Sequence, residues 1–244
     1  MKSNENFLLL LLILFALGAS GIYFINRKKE KHVRINAWKK YFTYFFIINS
    51  FFVFIMYAPA LFRGICFLIV LGGAFEMFRL QRNSHQQQTW SRFAIYFLTY
   101  TVTSVLFCFL AFENKEILVL MLFTVCVFDA FSQLSGQMFG KRKICPRISP
   151  NKTIGGTIGG TVAALILGII ANFNSLWEVS HVVFLIIFVA IASFAGDLAA
   201  SYVKRLYAVK DYGRLLPGHG GILDRFDSLI AAGALMFLLK FYWS

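Results

Sequence analysis

The chain has 244 residues, of which 59% are hydrophobic, 18% are aromatic and 14% are charged, and its mean hydropathy is +0.69. Soluble domains carry about 25% charged residues, so the composition excludes an ordinary soluble protein. The formal net charge of +13 would suit a nucleic-acid-binding protein, but the positions of the charges indicate a membrane topology instead. We therefore expect an all-α fold, one polytopic transmembrane helical bundle, with no nucleic acid partner.

Apolar runs of 15 to 21 residues recur along the chain with short polar gaps between them. About 20 apolar residues cross a bilayer, whereas a barrel would show alternating strands of about ten residues. The runs predict about eight transmembrane helices, at 7–25, 41–57, 61–78, 93–112, 117–131, 153–173, 182–196 and 228–243. We expect the first run to be a retained anchor rather than a cleaved signal peptide, because basic residues follow it directly.

Positive charge lies in every second gap between these predicted helices. Of the 24 Lys and Arg residues, 20 fall in the four loops 26–40, 79–92, 132–152 and 197–227. The positive-inside rule therefore places these loops in the cytoplasm and both termini outside. We expect two regions: N-terminal spans in residues 1–112, and a C-terminal transmembrane region in 113–244 that carries the polar loops 132–152 and 197–227 and any functional site.

Three predicted helices, 117–131, 182–196 and 228–243, are short and adjoin the two most polar loops. Because unpaired backbone does not face lipid, we expect a recessed, hydrated cavity beside them. Two acids, Glu76 and Asp129, lie within apolar runs, where an acid usually faces a cavity or a partner. The alternative is that both are solvated near the interface; the sequence favours function for Asp129 and leaves Glu76 open.

The segment 196–227 is the richest in polar residues. A helix that begins at Asp197 would carry Ser201, Lys204 and Arg205 on the same face. Carboxylates suit Mg²⁺, and Lys and Arg suit phosphate oxygens, so this face would fit a metal and a polyphosphate. A solvated amphipathic helix with internal ion pairs explains the spacing equally well.

The same segment continues with a glycine-rich turn at 217–221 and then with two acids. Exposed backbone N–H groups in such a turn can bind an anion, although an ordinary tight turn has the same residues. Asp224 and Asp227 are three residues apart and would share a helical face. They would complete a metal site with Asp197, or else stabilise the helix dipole.

A second polar cluster precedes the sixth predicted helix. Lys152 and Thr153 stand at the expected helix start, where side chains and N–H groups can bind phosphate. The glycines that follow, Gly155, Gly156, Gly159 and Gly160, are spaced for close packing against another helix.

Taken in order, these residues resemble the signature of the phosphatidate cytidylyltransferase (CDP-diacylglycerol synthase) family. The run 201–227 reads S-x-x-K-R, then K-D-x-G, then P-G-H-G-G-x-x-D-R-x-D, and the stretch 129–153 is also similar. Two positions depart from the usual pattern: Gly155 stands where Glu is common, and Gln133 where an aromatic residue is common.

The resemblance implies transfer of the cytidylyl group of CTP to phosphatidic acid, giving CDP-diacylglycerol and pyrophosphate, at the cytoplasmic face of a bacterial inner membrane among membrane lipids. It implies Mg²⁺ held by Asp197, Asp224 and Asp227, and leaves open a second cation and a homodimer. The implied catalytic residues are Asp197, Ser201, Lys204, Arg205, Lys210, Asp211, His219, Asp224, Arg225 and Asp227. The implied substrate-binding residues are Asp129, Lys141, Ser149, Lys152, Thr153, Gly220 and Gly221.

Two alternatives stay open at this point. Gly155 and Gln133 suggest a paralogue that activates another lipid phosphate with CTP. A lipid-binding or transport protein without catalytic activity would keep the same fold. A screen of lipid acceptors tests the first alternative, and pyrophosphate release tests the second.

Overall fold

The computed structural model describes residues 2–27, 30–83, 88–172, 177–213 and 220–239. This part of the chain forms eight α-helices and one short β-hairpin. In chain order these elements are α1 (Lys2–Asn26), α2 (Lys31–Tyr57), α3 (Pro59–Asn83), α4 (Trp90–Leu110), α5 (Lys115–Phe139), β1 (Lys143–Cys145), β2 (Ser149–Thr153), α6 (Ile154–Ala171), α7 (Val179–Leu206) and α8 (Leu223–Leu239). The predicted all-α polytopic bundle is confirmed.

Seven of these helices, α1 to α7, are long and apolar enough to cross a membrane. The described part of α8 has 17 residues and packs against α3, α4, α5 and α7. A chain with this many apolar helices is an integral membrane protein, because helices satisfy their own backbone hydrogen bonds in lipid. The orientation of the two termini stays a prediction.

Helix α5 lies at the centre of the bundle. Its residues from Leu118 to Phe128 are buried without interruption, and it contacts α1, α2, α6, α7 and α8. A helix that is apolar on all sides is typical of a position surrounded by other helices. Asp129 follows this run directly, so its carboxylate lies where α5 is packed among the other helices.

The predicted lengths of two short helices are wrong. α5 continues past residue 131 to Phe139, and α7 continues past residue 196 to Leu206. Hydropathy falls where polar side chains begin, but the backbone stays helical: the α6 glycines pack on Ser132 and Ser135, and Lys152 pairs with Asp197. Because α5 and α7 are not short, their length no longer predicts a hydrated cavity beside them. Asp197 lies within α7 and does not begin a helix.

The predicted motif loops are also more ordered than expected. Residues 132–139 belong to α5, and β1 and β2 pair as an antiparallel hairpin in which Lys143 lies opposite Thr153. Residues 197–206 belong to α7, and α8 begins at Leu223 rather than at residue 228. The sixth helix begins at Ile154, one residue after its predicted start at 153.

The glycines of α6 allow close packing against α5. A Cβ atom on Gly156 would lie 2.7 Å from the carbonyl oxygen of Ser132, and one on Gly160 would meet the Ser132 hydroxyl. Small residues let two helix backbones approach in this way. The predicted packing role of these glycines is confirmed.

Candidate active site

A buried ion pair joins α7 to α8. Lys204 Nζ lies 2.7 Å from Asp224 Oδ1, and the two side chains are 10% and 5% exposed. The other oxygen, Asp224 Oδ2, accepts the backbone N–H groups of Tyr212 and Gly221, each at 2.8 Å. A buried pair is stable only where its remaining hydrogen-bonding capacity is also satisfied, as it is here. Asp224 thus holds residues on both sides of the segment 213–220.

Glu76 of α3 supports the same segment from the other half of the chain. Its carboxylate accepts the backbone N–H groups of Ile222 and Leu223, each at 2.9 Å, and the residue is 1% exposed. The first N–H groups of a helix have no partner within the helix, so this carboxylate caps α8. Interfacial solvation, one of the two interpretations that the sequence left open for Glu76, is therefore wrong.

Two glycines pack directly on the Glu76 carboxylate. A Cβ atom on Gly213 would lie 2.6 Å from Glu76 Oε1, and one on Gly221 would lie 2.6 Å from Glu76 Cδ. Neither position has space for a larger residue. The glycines of the K-D-x-G and G-G motifs therefore serve the close approach of backbone to a buried acid.

Three carboxylates from three helices form an acidic group: Asp129 of α5, Asp197 of α7 and Asp227 of α8. The Asp129 and Asp227 carboxylates each interact electrostatically with that of Asp197 and with one another. The helices α5, α7 and α8 pack together, which brings residues far apart in the sequence to one place.

Serine hydroxyl groups of α7 contact two of these acids. The Ser193 hydroxyl donates to Asp129 Oδ1 at 3.4 Å, and the Ser201 hydroxyl donates to Asp197 Oδ1 at 3.3 Å. Ser193 lies one helical turn before Asp197 on α7. Ser201 was predicted from the sequence, whereas Ser193 was not. Ser193 lies four residues before Asp197, a spacing that places both on one face of a helix.

Lys152 brings a positive charge to the acidic group from the hairpin. Its Nζ atom lies 2.9 Å from Asp197 Oδ2, donates to the carbonyl oxygen of Phe194 at 3.1 Å, and sits 4.2 Å from the centre of the Phe194 ring. The neighbouring Thr153 is buried, and its hydroxyl accepts the N–H of Gly156 at 3.1 Å as the cap of α6. Of these two predicted phosphate ligands, Lys152 has its charge beside the acids.

Arg205 does not lie on the predicted face with Asp197. It is exposed, and its Nε atom donates to the carbonyl oxygen of Ile148 at 3.1 Å while Nη1 donates to that of Val209 at 3.0 Å. At about 100° per residue, a residue eight positions further along a helix lies about 80° around it, at the edge of the stripe. Arg205 therefore contacts the hairpin, whereas Ser201 and Lys204 are buried within the bundle.

The other predicted residues surround this centre. Lys141 is exposed at the end of α5, Ser149 pairs with Cys145 in the hairpin, and Arg225 is half-buried in the first turn of α8. His219 lies outside the described residues. Gly220 has a φ of +85°, and a Cβ atom there would lie 2.9 Å from Asp224 Oδ2 and 3.3 Å from Asp211 Cβ. This position therefore requires glycine.

Tyr212 links the stretch after α7 back to that helix. Its hydroxyl donates to the carbonyl oxygen of Ala200 at 3.0 Å. Burial, together with the charges of Asp227 and Asp224, raises the pKa of Tyr212 well above its usual value. The phenol therefore stays protonated at neutral pH and acts as a structural donor rather than as a base.

A cavity of about 590 Å³ opens beside this network, between the C-terminal end of α3 and the stretch 209–213. Its lining residues are Arg79, Leu80, Asn83, Val209, Lys210, Asp211, Tyr212 and Gly213. This volume is within the usual range of sites for small ligands. From the sequence, Arg79 contributed only to the charge of the basic loop 79–92. The structure shows that it lines the same cavity as Lys210 and Asp211.

The acids offer a partial set of metal ligands. Within the described ranges, no group of three or more His, Cys, Asp or Glu side chains is arranged to hold a metal ion. Mg²⁺ commonly takes only one or two carboxylates, with waters and substrate phosphates as its other ligands. Asp197 and Asp227 would supply two such carboxylates, and the Asp197 oxygens also contact Ser201 Oγ and Lys152 Nζ. Asp224, also a predicted ligand, has both oxygens engaged by Lys204 and by backbone N–H groups.

The sequence matches one known protein family over nearly its whole length. A model described as the cytidylyltransferase family matches residues 4–243. The chain belongs to the cytidylyltransferase family. A phosphatidate cytidylyltransferase of Rickettsia typhi is 29% identical over 231 residues, which cover 89% of this chain and 99% of the relative.

Further relatives match shorter parts of the chain at higher identity. A phosphatidate cytidylyltransferase of Brucella abortus is 44% identical over 114 residues, which cover 45% of this chain and 41% of the relative. One of Rickettsia conorii is 31% identical over 147 residues, which cover 56% of this chain and 64% of the relative.

Proposed function

We infer that this protein transfers the cytidylyl group of CTP to phosphatidic acid and releases CDP-diacylglycerol and pyrophosphate. The observation that carries the inference is the full-length match to a relative that is named a phosphatidate cytidylyltransferase, in a chain of the cytidylyltransferase family. The buried network of Glu76, Lys204 and Asp224 supports it, because it organises the residues of the family signature around one site.

The chemistry of the reaction explains the charges of the site. An oxygen of the lipid phosphate attacks the α-phosphorus of CTP, and the bond from that phosphorus to the pyrophosphate oxygen breaks. Both substrates are anions, so the protein's task is to neutralise charge and to align the two reacting groups. A phosphate monoester is already ionised at neutral pH, so its attack requires no general base.

Two lysines are placed for this task. Lys152 is fixed by Asp197 and the Phe194 carbonyl, and Lys204 is fixed by Asp224. A lysine held in advance loses little further freedom when it binds a phosphate oxygen, which favours binding in a defined geometry. We propose that Lys152 and Lys204 contact substrate phosphates, with Arg225 in the first turn of α8 as a further contact.

We propose that Asp197 and Asp227 would hold Mg²⁺ together with substrate phosphates, with Asp224 as the third carboxylate of the predicted ligand set. Oxygen ligands of this kind suit a hard cation. When bound, the ion supplies positive charge to the phosphate oxygens on which charge develops. Ser201 and Lys152, the neighbours of Asp197, would orient its carboxylate for that role.

We propose that this site faces the cytoplasm of a bacterial cell, in the inner membrane. The basic loops 26–40, 79–92, 132–152 and 197–227 support this orientation through the positive-inside rule. The loop before α4, part of the basic loop 79–92, also contacts the end of α7: Gln88 Nε2 donates to the carbonyl oxygen of Leu206 at 2.9 Å. A cytoplasmic site would meet CTP and the headgroup of phosphatidic acid at the same surface.

The test is an assay of membranes that contain the protein, with radiolabelled CTP, Mg²⁺ and a panel of lipid phosphates. We expect labelled CDP-diacylglycerol and one pyrophosphate per product, and none with Asp224→Asn. Conversion of a different lipid phosphate in preference to phosphatidic acid would establish the paralogue. Membranes that convert no lipid phosphate, from a well-expressed wild-type protein, would overturn the inference.

A further inference from the structure

The cavity beside the motif loop has an unusual mixture of charges. Arg79 and Lys210 bring two positive charges, Asp211 brings a carboxylate, and Asn83 brings an amide. All four side chains are exposed rather than paired in the interior of the bundle. The cavity is therefore open to a ligand from water that carries both negative charge and hydrogen-bond donors.

Gly220 and Tyr212 connect the cavity to the buried network. Gly220 lies between the Asp211 and Asp224 side chains, with its ideal Cβ position 3.3 Å from Asp211 Cβ and 2.9 Å from Asp224 Oδ2. Tyr212, which lines the cavity, donates its backbone N–H to that same Asp224 oxygen. A ligand in the cavity therefore lies next to the residues that we place at the reaction centre.

Cytosine and a triphosphate match the cavity's groups. A carboxylate accepts a hydrogen bond from the exocyclic N4 amino group of cytosine, and an amide N–H₂ can donate to its ring acceptors. Arginine and lysine bind phosphate oxygens. The headgroup of phosphatidic acid fits less well, because its ionised phosphate offers no donor to Asp211.

We propose that this cavity binds the cytidine nucleotide, with Asp211 selecting cytosine through its N4 amino group and Arg79 binding the triphosphate. This proposal rests on the proposed function, because it names the nucleotide site of the same reaction. Uracil carries a carbonyl oxygen in place of the N4 amino group, so Asp211 repels UTP while it attracts CTP.

The decisive variant is Asp211→Asn, which keeps the size of the side chain and replaces one carboxylate oxygen with a donor. We expect the ratio of kcat/KM for CTP to that for UTP to fall at least tenfold, because asparagine can donate to the uracil carbonyl. A purely structural role would lower both values together. A fall of less than tenfold would overturn the selection of cytosine by Asp211.

A second variant tests the phosphate contact. We expect Arg79→Gln to raise the KM for CTP at least fivefold and to leave the KM for phosphatidic acid within twofold of wild type. The matched control is Arg92→Gln, an exposed arginine at the start of α4 that does not line the cavity. Equal values of KM for CTP in the two variants would contradict the assignment of this cavity.

Different results would contradict the proposed function and the assignment of the cavity to the nucleotide. A wild-type protein that converts no CTP would remove the proposed function, whereas an active wild type with an unchanged nucleotide ratio in Asp211→Asn would remove only the cavity assignment. If Asp211→Asn is inactive, competition of unlabelled CTP and UTP against bound labelled CTP measures the same ratio on the full-length protein in detergent.

Discussion

The Glu76 carboxylate of α3 accepts the backbone N–H of Leu223, the first residue of α8, at 2.9 Å. The two residues are 147 positions apart in the chain. The cap therefore ties the N-terminal helices to the helix that carries Asp224 and Asp227, and it fixes where that helix begins. A residue of the first half of the chain thus sets the position of acids in the second half.

Replacement of Glu76 should disturb both stability and activity. We expect Glu76→Ala to leave two buried N–H groups unpaired, which costs about 1–3 kcal/mol for each unsatisfied group. The activity of Glu76→Ala should fall at least tenfold. Glu76→Gln keeps one acceptor oxygen, so its stability and activity should lie between those of Glu76→Ala and the wild type. Unfolding in detergent and the CTP assay measure these effects. Glu116→Gln, an exposed acid in the first turn of α5, is the control.

The Lys204–Asp224 pair predicts a strong coupling between two mutations. Lys204→Met leaves the Asp224 charge buried without its partner, and loss of one member of such a pair costs about 3–5 kcal/mol. We expect the double variant Lys204→Met with Asp224→Asn to be less destabilised than the sum of the single variants. Additive losses in a double-mutant cycle would show that the pair is not formed in the membrane.

The acidic group predicts how Mg²⁺ dependence changes. We expect Asp197→Asn and Asp227→Asn to raise the Mg²⁺ concentration for half-maximal activity at least fivefold, because each removes an anionic ligand. Titration of Mg²⁺ after chelation of bound metal measures this. Glu178→Gln, an exposed acid before α7, should leave the titration unchanged. Unshifted titrations in both Asp variants would place the metal elsewhere.

The two basic residues near the hairpin predict unequal effects. We expect Lys152→Gln to lower kcat at least tenfold, because its Nζ atom lies beside Asp197. Arg205→Gln should lower kcat less than threefold, since the guanidinium contacts the carbonyl groups of Ile148 and Val209. Steady-state assays of both variants decide this, and a larger loss from Arg205→Gln would return Arg205 to the reaction centre.

The α5–α6 interface predicts a steric effect of one methyl group. We expect Gly160→Ala to destabilise the protein by about 1–3 kcal/mol, because its Cβ would lie 2.7 Å from the carbonyl oxygen of Phe128 and would meet the Ser132 hydroxyl. Gly64→Ala in α3 is the matched control, since nothing lies within 4 Å of its ideal Cβ position. Thermal unfolding in detergent measures both variants, and equal melting temperatures would contradict the close packing.

The amino-acid sequence by itself determined the number and kind of the helices. Apolar runs in a bilayer must form helices that satisfy their own backbone, so hydropathy is enough to predict an all-α bundle. The spacing of Ser201, Lys204, Lys210 and the acids up to Asp227 was likewise enough to indicate the family, because the motif is a property of the order of residues.

The contacts of the site were decided only by the tertiary structure. Hydropathy ended α5 and α7 too early, because polar residues stay helical where other elements pack on them: α6 glycines pack on Ser132, and Lys152 of the hairpin pairs with Asp197. The cap that Glu76 provides joins segments that no local pattern connects. Likewise, the place of Arg79 beside Asp211 depends on how α3 packs, and packing between distant segments is not encoded in the spacing along either one.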